Sequence, residues 1–104
     1  MRNDVRNRLI DAACERELVY YGDLMREFRL GRGRHIASVL CEISLFEREN
    51  ARPCLPALVV LKGTDRPAVP CWRAEDGAWE KQRDAVYKHW SLFTGAELER
   101  LRIG

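Results

Sequence analysis

The segment "YYGDLMREFRLGRGRH", Tyr20–His35, decides how this chain folds, because it places a short helix and a glycine-bearing turn before a long amphipathic segment. Leu24 and Phe28 stand four residues apart, which is the spacing of one helical face. Gly31 and Gly33 then break that helix. Two helices joined by a short glycine turn, the second of them amphipathic, are typical of a helix-turn-helix.

The second helix is predicted to run from Arg34 to about Asn50. Its apolar residues recur at the spacing of a buried helical face: Ile36, Val39, Leu40, Ile43 and Phe46. The opposite face carries Arg34, Ser38, Cys41, Leu45 and Glu49. The pattern therefore predicts one face against a core and one face toward solvent or a partner.

The remaining segments predict a mixed α and β chain. A first helix, capped by Asn3 or Asp4, should run to about Arg16, and "ELVYYG" should form an extended piece that ends at Gly22. "ARPCLP" predicts a loop, "ALVVLK" a strand, "GTDRP" a turn and "AVPCW" a return strand or extended edge. "AEDGAWEKQRDAVYKHW" predicts another helix, and Thr94 with Glu97 has the spacing of a capping box before a last helix to about Arg102. The prediction is one α+β domain over residues 1–104, a winged helix-turn-helix with a short β-hairpin.

Composition sets limits on the kind of protein. The chain has 104 residues, 46% of them hydrophobic and 33% charged, and its net charge is +2. These values are ordinary for a soluble globular domain, and the charge is too small to indicate an anionic partner by itself. The sequence has no apolar stretch of about 18 residues, and its charged N-terminus does not resemble a secretory signal. We therefore expect a cytoplasmic protein without membrane contact.

Two family resemblances support this architecture. The stretch "VYYGDLMREFRLGRGRHIASVLCEI" resembles the helix-turn-helix region of alkyltransferase-like DNA-repair domains, through Tyr21, Gly22, Leu24 and an approximate match at Arg34. Residues 19–90 resemble small prokaryotic winged-helix-like proteins, a family without an assigned activity. They share a Tyr-Gly-Asp/Glu-Leu opening and segments like "VLCEISLFEREN", "ALVVLKGTDRP" and "AWEKQRDAVYKHW". This second resemblance implies the winged-helix fold and no particular reaction.

The sequence does not predict catalysis. The alkyltransferase-like enzymes use a Pro-Cys-His-Arg nucleophile motif, but here Cys54 is followed by Leu55 and Cys71 by Trp72. No histidine stands nearby to generate the thiolate that such chemistry needs. His35 and His89 have no partner at a catalytic spacing, so His35 is expected in the turn and His89 beside Trp90.

The cysteines do not predict a metal site either. Cys14, Cys41, Cys54 and Cys71 form no C-x-x-C pair, whereas zinc ligands usually come in close pairs. We expect four free thiols, no metal, no cofactor and no small-molecule substrate. Trp72, Trp79 and Trp90 are expected to close the last long helix over the hairpin rather than to form a surface anchor.

The basic cluster around the turn is the first candidate site. Its members are Arg26, Arg29, Arg32, Arg34 and His35, with Ser38 and Leu45 further along the helix. A glycine turn at a helix N-terminus exposes N–H groups that favour anions, and arginines add charge-assisted bonds. The alternative is a solvated turn whose arginines pair with Asp23 and Glu27. The first hypothesis predicts a small DNA-associated regulator that binds duplex DNA.

The second hypothesis is an immunity protein or antitoxin that blocks a toxin, with a nuclease as the expected toxin, and that has no active site of its own. A nuclease presents a basic groove, so its inhibitor needs an acidic face. Glu42, Glu47 and Glu49 are the candidates for that face.

Overall fold

The chain forms five α-helices and a short two-stranded sheet within the residues that the computed structural model describes, which are 1–30, 34–64, 66–68 and 78–102. In chain order they are α1 (Asn3–Glu15), β1 (Val19–Tyr20), α2 (Tyr21–Phe28), α3 (Arg34–Glu49), a 3-10 helix (Leu55–Leu58), β2 (Val59–Val60), α4 (Trp79–Trp90) and α5 (Gly95–Leu101). The predicted α+β class is therefore confirmed.

The sheet joins two distant parts of the sequence. β1 and β2 are parallel, with Val19 opposite Val59 and Tyr20 opposite Val60. The chain then turns back after β2, because Pro67 forms an antiparallel bridge with Val60 and the Ala68 N–H donates to the Val59 carbonyl at 3.0 Å. Proline donates no N–H, which suits an outer position of a sheet. The turn in "GTDRP" thus reverses the chain as predicted, while the rest of the predicted return strand, with Cys71 and Trp72, lies outside the described residues.

One hydrophobic core connects the helices and the sheet. Its buried members from α1 and α3 are Val5, Leu9, Ile10, Ala12, Ala13, Ile36, Val39, Leu40 and Ile43. These include all the apolar residues predicted to face the core except Phe46, which is only half-buried. Trp90 is fully buried, and the Trp79 indole N–H donates to the Ala57 carbonyl at 2.7 Å. Both tryptophans therefore close α4 over the middle of the chain, as expected.

Helix α2 begins earlier than predicted. It starts at Tyr21, so the extended segment ends at Tyr20 rather than at Gly22. Gly22 lies in the first turn of the helix, where backbone N–H groups have no partner within the helix in any case. A glycine there does not break the helix, and a sequence pattern that treats glycine as a stop signal misplaces the boundary.

The segment "LPALVV" divides between two structures. Leu55–Leu58 form the 3-10 helix, and only Val59–Val60 are paired as a strand, so the predicted strand over "ALVVLK" is too long. Pro56 favours the start of a helical turn because its fixed φ fits and its missing N–H is not needed there. The predicted loop "ARPCLP" accordingly ends in helical backbone.

The last helix is present, but its predicted cap is different. α5 covers Gly95–Leu101 and Thr94 precedes it, yet the Thr94 side chain makes no capping hydrogen bond. The Glu97 N–H bonds instead to the Thr94 backbone carbonyl at 3.2 Å. The predicted capping box is therefore wrong in its side-chain geometry, although the helix it predicted exists.

Candidate interaction surface

The basic cluster is only partly within the described residues. Arg32 and the Arg34 side chain lie outside them. Arg26, Arg29 and His35 are exposed, and Arg26 forms an ion pair with Asp23 one helical turn earlier. This pair fits the solvated-turn alternative.

The other predicted partner, Glu27, lies closest to an arginine from a different helix. Arg8 of α1 approaches its carboxylate at 3.6 Å. Glu27 thus pairs with α1 rather than with the turn, and Arg29 is exposed at the turn.

Arg29 has an unusual backbone conformation. It ends α2 with φ 54°, in the left-handed region. Side chains with a Cβ rarely adopt this conformation, and glycine usually occupies it at a helix end. The cluster thus carries an arginine where glycine would cost less.

The outer face of α3 is open to solvent. We define it by Ser38, Cys41, Glu42, Leu45 and Glu49, all of which are exposed. Leu45 is 55% exposed. The predicted outward positions of Ser38, Cys41, Leu45 and Glu49 are thereby confirmed.

Two grooves border this face on opposite sides of Leu45. One, of about 420 Å³, runs toward the start of α1 and includes Glu42, Phe46 and Glu49 in its lining. The other, of about 210 Å³, includes Cys41 and Arg48. A leucine between two grooves, with carboxylates beside it, can contact an apolar side chain of a partner and a neighbouring cation.

The predicted acidic face loses one of its three members. Glu47 is fully buried, with 0% of its side chain exposed, and it forms ion pairs with Arg6 and Arg52. It cannot contact a partner, because two arginines of the same chain already occupy its carboxylate. Glu42 and Glu49 remain exposed, and Glu42 lies 3.1 Å from the amino group of Met1.

The site that buries Glu47 is a cluster of charged and aromatic side chains. The Arg6 Nε donates to Glu47 at 2.6 Å, and its Nη1 donates to the Leu101 carbonyl of α5 at 2.6 Å. Its guanidinium lies 5.1 Å from the Phe46 ring centre and 5.7 Å from that of Trp90. Buried charges persist where partners replace water, and this cluster supplies a carboxylate, a carbonyl and two aromatic faces.

His89 lies at the edge of the same cluster. Its ring meets those of Trp90 and Phe93 edge-on, both at 5.2 Å between centres. Burial lowers the pKa of His89 below its usual value, and the nearby Arg52 lowers it further, while Glu47 acts in the opposite direction. His89 therefore packs as a neutral aromatic ring at neutral pH.

The thiols do not form a reactive centre among the described residues. Cys14, Cys41 and Cys54 form no disulfide within the described ranges, and of these three only Cys54 is buried. Burial raises the pKa of the Cys54 thiol, which opposes the thiolate form that nucleophilic chemistry needs. No three His, Cys, Asp or Glu side chains of the described ranges come together in a way that could hold a metal ion. Cys71 lies outside those ranges.

A polar cleft, which the sequence did not predict, lies where α3 ends. It has a volume of about 300 Å³, and the residues that line it include Ser44, Arg48, Arg52, Cys54 and Gln82. The sequence carried one signal for it, because Ser44, Arg48 and Arg52 are spaced four apart, as on one side of a helix.

Comparisons with known proteins identify no relative of this chain. Neither a protein-family model, nor a curated protein, nor a solved structure matches the chain. No helix of the described ranges is long and apolar enough to cross a membrane.

Proposed function

We propose that the chain is a non-catalytic binding protein whose outer face of α3 contacts a protein partner. One observation carries this proposal: Leu45 is 55% exposed in the middle of that face, between two grooves. Burying a leucine side chain at an interface contributes about 1.5–3 kcal/mol. An exposed leucine with space on both sides is therefore suited to receive an apolar contact.

The charges on the same face favour a protein over DNA. Glu42 and Glu49 stand on either side of Leu45 along the helix, and both are exposed. Carboxylates repel a phosphate backbone, and side chains that contact bases in the major groove are more often Arg, Asn or Gln. The same carboxylates attract a cationic partner, which fits an immunity protein or antitoxin that covers the basic groove of a nuclease.

The winged helix-turn-helix architecture is part of the proposal. The order α1, β1, α2, α3, β2 and the chain reversal at Pro67 support it. In helix-turn-helix proteins that bind DNA, the helix after the turn is the one that contacts the bases, and we propose that the same position presents the contact surface here. Here that helix is α3, the helix that carries the exposed leucine.

Duplex DNA is a second candidate, favoured by a different observation. Arg26 and Arg29 are exposed just before α3, and the first turn of α3 contains no acidic residue. Phosphate contacts by these arginines and by Arg32 and Arg34 would position the turn on a duplex.

The experiment for the protein partner uses two matched leucines. The chain is co-expressed with the product of the gene directly upstream, and complex formation and protection from toxicity are measured. Leu45→Arg should abolish both, while Leu92→Arg should not, because Leu92 is 69% exposed but lies after α4. Equal binding by the two variants would remove the outer face of α3 from the proposal.

The experiment for DNA is a salt titration by fluorescence anisotropy, starting at about 50 mM salt. If three or four arginines contact phosphates, the logarithm of affinity should fall with the logarithm of salt at a slope near −3. Arg26→Ala with Arg29→Ala should weaken all duplexes alike, and Leu45→Arg should not weaken them. Absence of binding to a long duplex at low salt would eliminate this candidate and leave the protein partner.

A further inference from the structure

We propose that the polar cleft at the C-terminal end of α3 binds the phosphate group of a small molecule. The cleft adjoins the smaller groove beside Leu45, with which it shares Ser44 and Arg48, but the proposal does not depend on the function proposed for the outer face of α3. The cleft is bounded by the last turns of α3, the loop before the 3-10 helix and α4, which contributes Gln82. Its volume of about 300 Å³ lies at the lower end of small-molecule sites.

Arg52 is the central residue of the cleft because the protein holds its guanidinium in place. Its Nε donates to the buried Glu47 carboxylate, and its backbone N–H donates to the Glu47 carbonyl at 2.8 Å. The guanidinium also lies 5.3 Å from the Phe46 ring centre. Two contacts hold the guanidinium and a third fixes the backbone beneath it, so less side-chain entropy remains to be lost when a ligand binds.

The remaining donors of Arg52 are available to a ligand. Of its three side-chain nitrogens, only Nε is hydrogen-bonded to a residue that the structure describes, and 14% of the side chain is exposed. A guanidinium has five N–H donors in a planar fork. With Nε committed to Glu47, the two terminal nitrogens can contact two oxygens of one oxyanion, which is the arrangement arginine forms with phosphate.

The other side chains of the cleft are positive or neutral. Arg48 brings a second positive charge. Ser44 Oγ and Cys54 Sγ lie 3.2 Å apart, with either atom able to donate, and burial raises the pKa of Cys54, which keeps its thiol uncharged. Two guanidinium groups match a doubly charged phosphate better than a singly charged carboxylate.

The test is an NMR titration at constant ionic strength with inorganic phosphate as the probe and acetate as the singly charged comparison. Phosphate should shift the backbone amide signals of Ala51, Arg52 and Gln82, and acetate should not. Arg48→Gln should weaken phosphate binding about tenfold, the usual loss for a hydrogen bond to a charged group. Arg100→Gln is the matched control, since Arg100 is exposed on α5 and does not line the cleft.

The choice of variants distinguishes an effect on phosphate binding from an effect on stability. Arg48 is exposed, so Arg48→Gln should leave the melting temperature unchanged. Arg52→Lys keeps the positive charge but loses the planar fork of donors. It should clearly weaken phosphate binding and lower the melting temperature only slightly. The proposal is overturned by absence of phosphate shifts, by equal binding of acetate, by equal affinity of Arg48→Gln and the parent, or by displacement of phosphate by duplex DNA.

Discussion

On α3, one charged residue is buried and one apolar residue is exposed, which is the reverse of the usual distribution of side chains. On its inner side, Glu47 is fully buried, whereas Leu45, two residues earlier on the outer side, is 55% exposed. A buried carboxylate is tolerated only with compensation, and Arg6 and Arg52 provide it here. Within the described residues no contact covers Leu45 in this way, and in our proposal the partner would cover it.

The difference separates a charge that the fold uses, Glu47, from an apolar residue that we propose to contact a partner, Leu45. Carboxylates at surface positions are common and seldom informative, but a buried one constrains every residue that contacts it. Arg6 connects Glu47 to α5 through the Leu101 carbonyl, and Arg52 connects it to the polar cleft. Glu47 is therefore connected to α1, to α5 and to the polar cleft, whereas Leu45 makes none of these connections.

The largest effect should come from removing the inner charge. Glu47→Gln leaves Arg6 and Arg52 without a counter-charge in a buried site, which should cost about 3–5 kcal/mol of unfolding free energy. Glu49→Gln, on the outer face, should stay within about 0.5 kcal/mol. Urea denaturation of both variants measures the contrast, and similar losses in the two would mean that the cluster contributes nothing specific.

A second large effect should come from the apolar part of the inner face. Ile43 is fully buried, so Ile43→Ala should cost about 2–5 kcal/mol through lost burial and the cavity left behind. Cys41→Ala, at an exposed position two residues earlier, should change stability by less than about 0.5 kcal/mol. Thermal melts of the two variants measure the difference. If Ile43→Ala melted at the same temperature as the parent, this would contradict the observed burial of Ile43.

Periodicity predicted most of the fold. The apolar residues at 36, 39, 40 and 43 are buried as their spacing indicated. Helix boundaries were less predictable because glycine and proline act differently in a first turn than inside a helix, as Gly22 and Pro56 show.

The buried charges were missed although their positions follow the same rule. Glu47 continues the row of Ile36, Leu40 and Ile43, and Arg6 precedes Ile10 and Ala13 by four and seven residues. A pattern built only on apolar residues skips such positions, since charged side chains are rarely fully buried unless paired. Pairing across 41 residues of sequence leaves no local signal. The polar cleft that depends on this pairing could not be predicted from it, although the spacing of Ser44, Arg48 and Arg52 indicated a polar row.

A smaller effect should appear as a dependence of stability on pH. His89 has a lowered pKa in the folded protein, so the unfolded chain binds its proton at higher pH than the folded chain does. Stability should therefore fall as the pH drops through the usual histidine value of about 6.5 toward the folded value. Glu47 and Arg52 are the charged groups that face the ring.

His89→Phe isolates this contribution. Phenylalanine preserves the edge-on contacts with Trp90 and Phe93 and removes both the titration and a buried Nε2 that has no hydrogen-bond partner within the described residues. Denaturation between about pH 7 and pH 5.5 should show a shallower slope for the variant. An identical slope would show that another group of the inner cluster causes the dependence.

The smallest effect on stability should come from the outer face itself. Leu45→Gln exchanges two residues of similar helix propensity at an exposed position, so the unfolding free energy should change by less than about 0.5 kcal/mol. Leu92→Gln is the matched control, because Leu92 is also largely exposed. A loss above about 1 kcal/mol for Leu45→Gln alone would mean that the protein itself covers this leucine in solution. The proposed contact with a partner would then lose its basis, whereas unchanged stability together with lost partner binding would assign Leu45 to the interface.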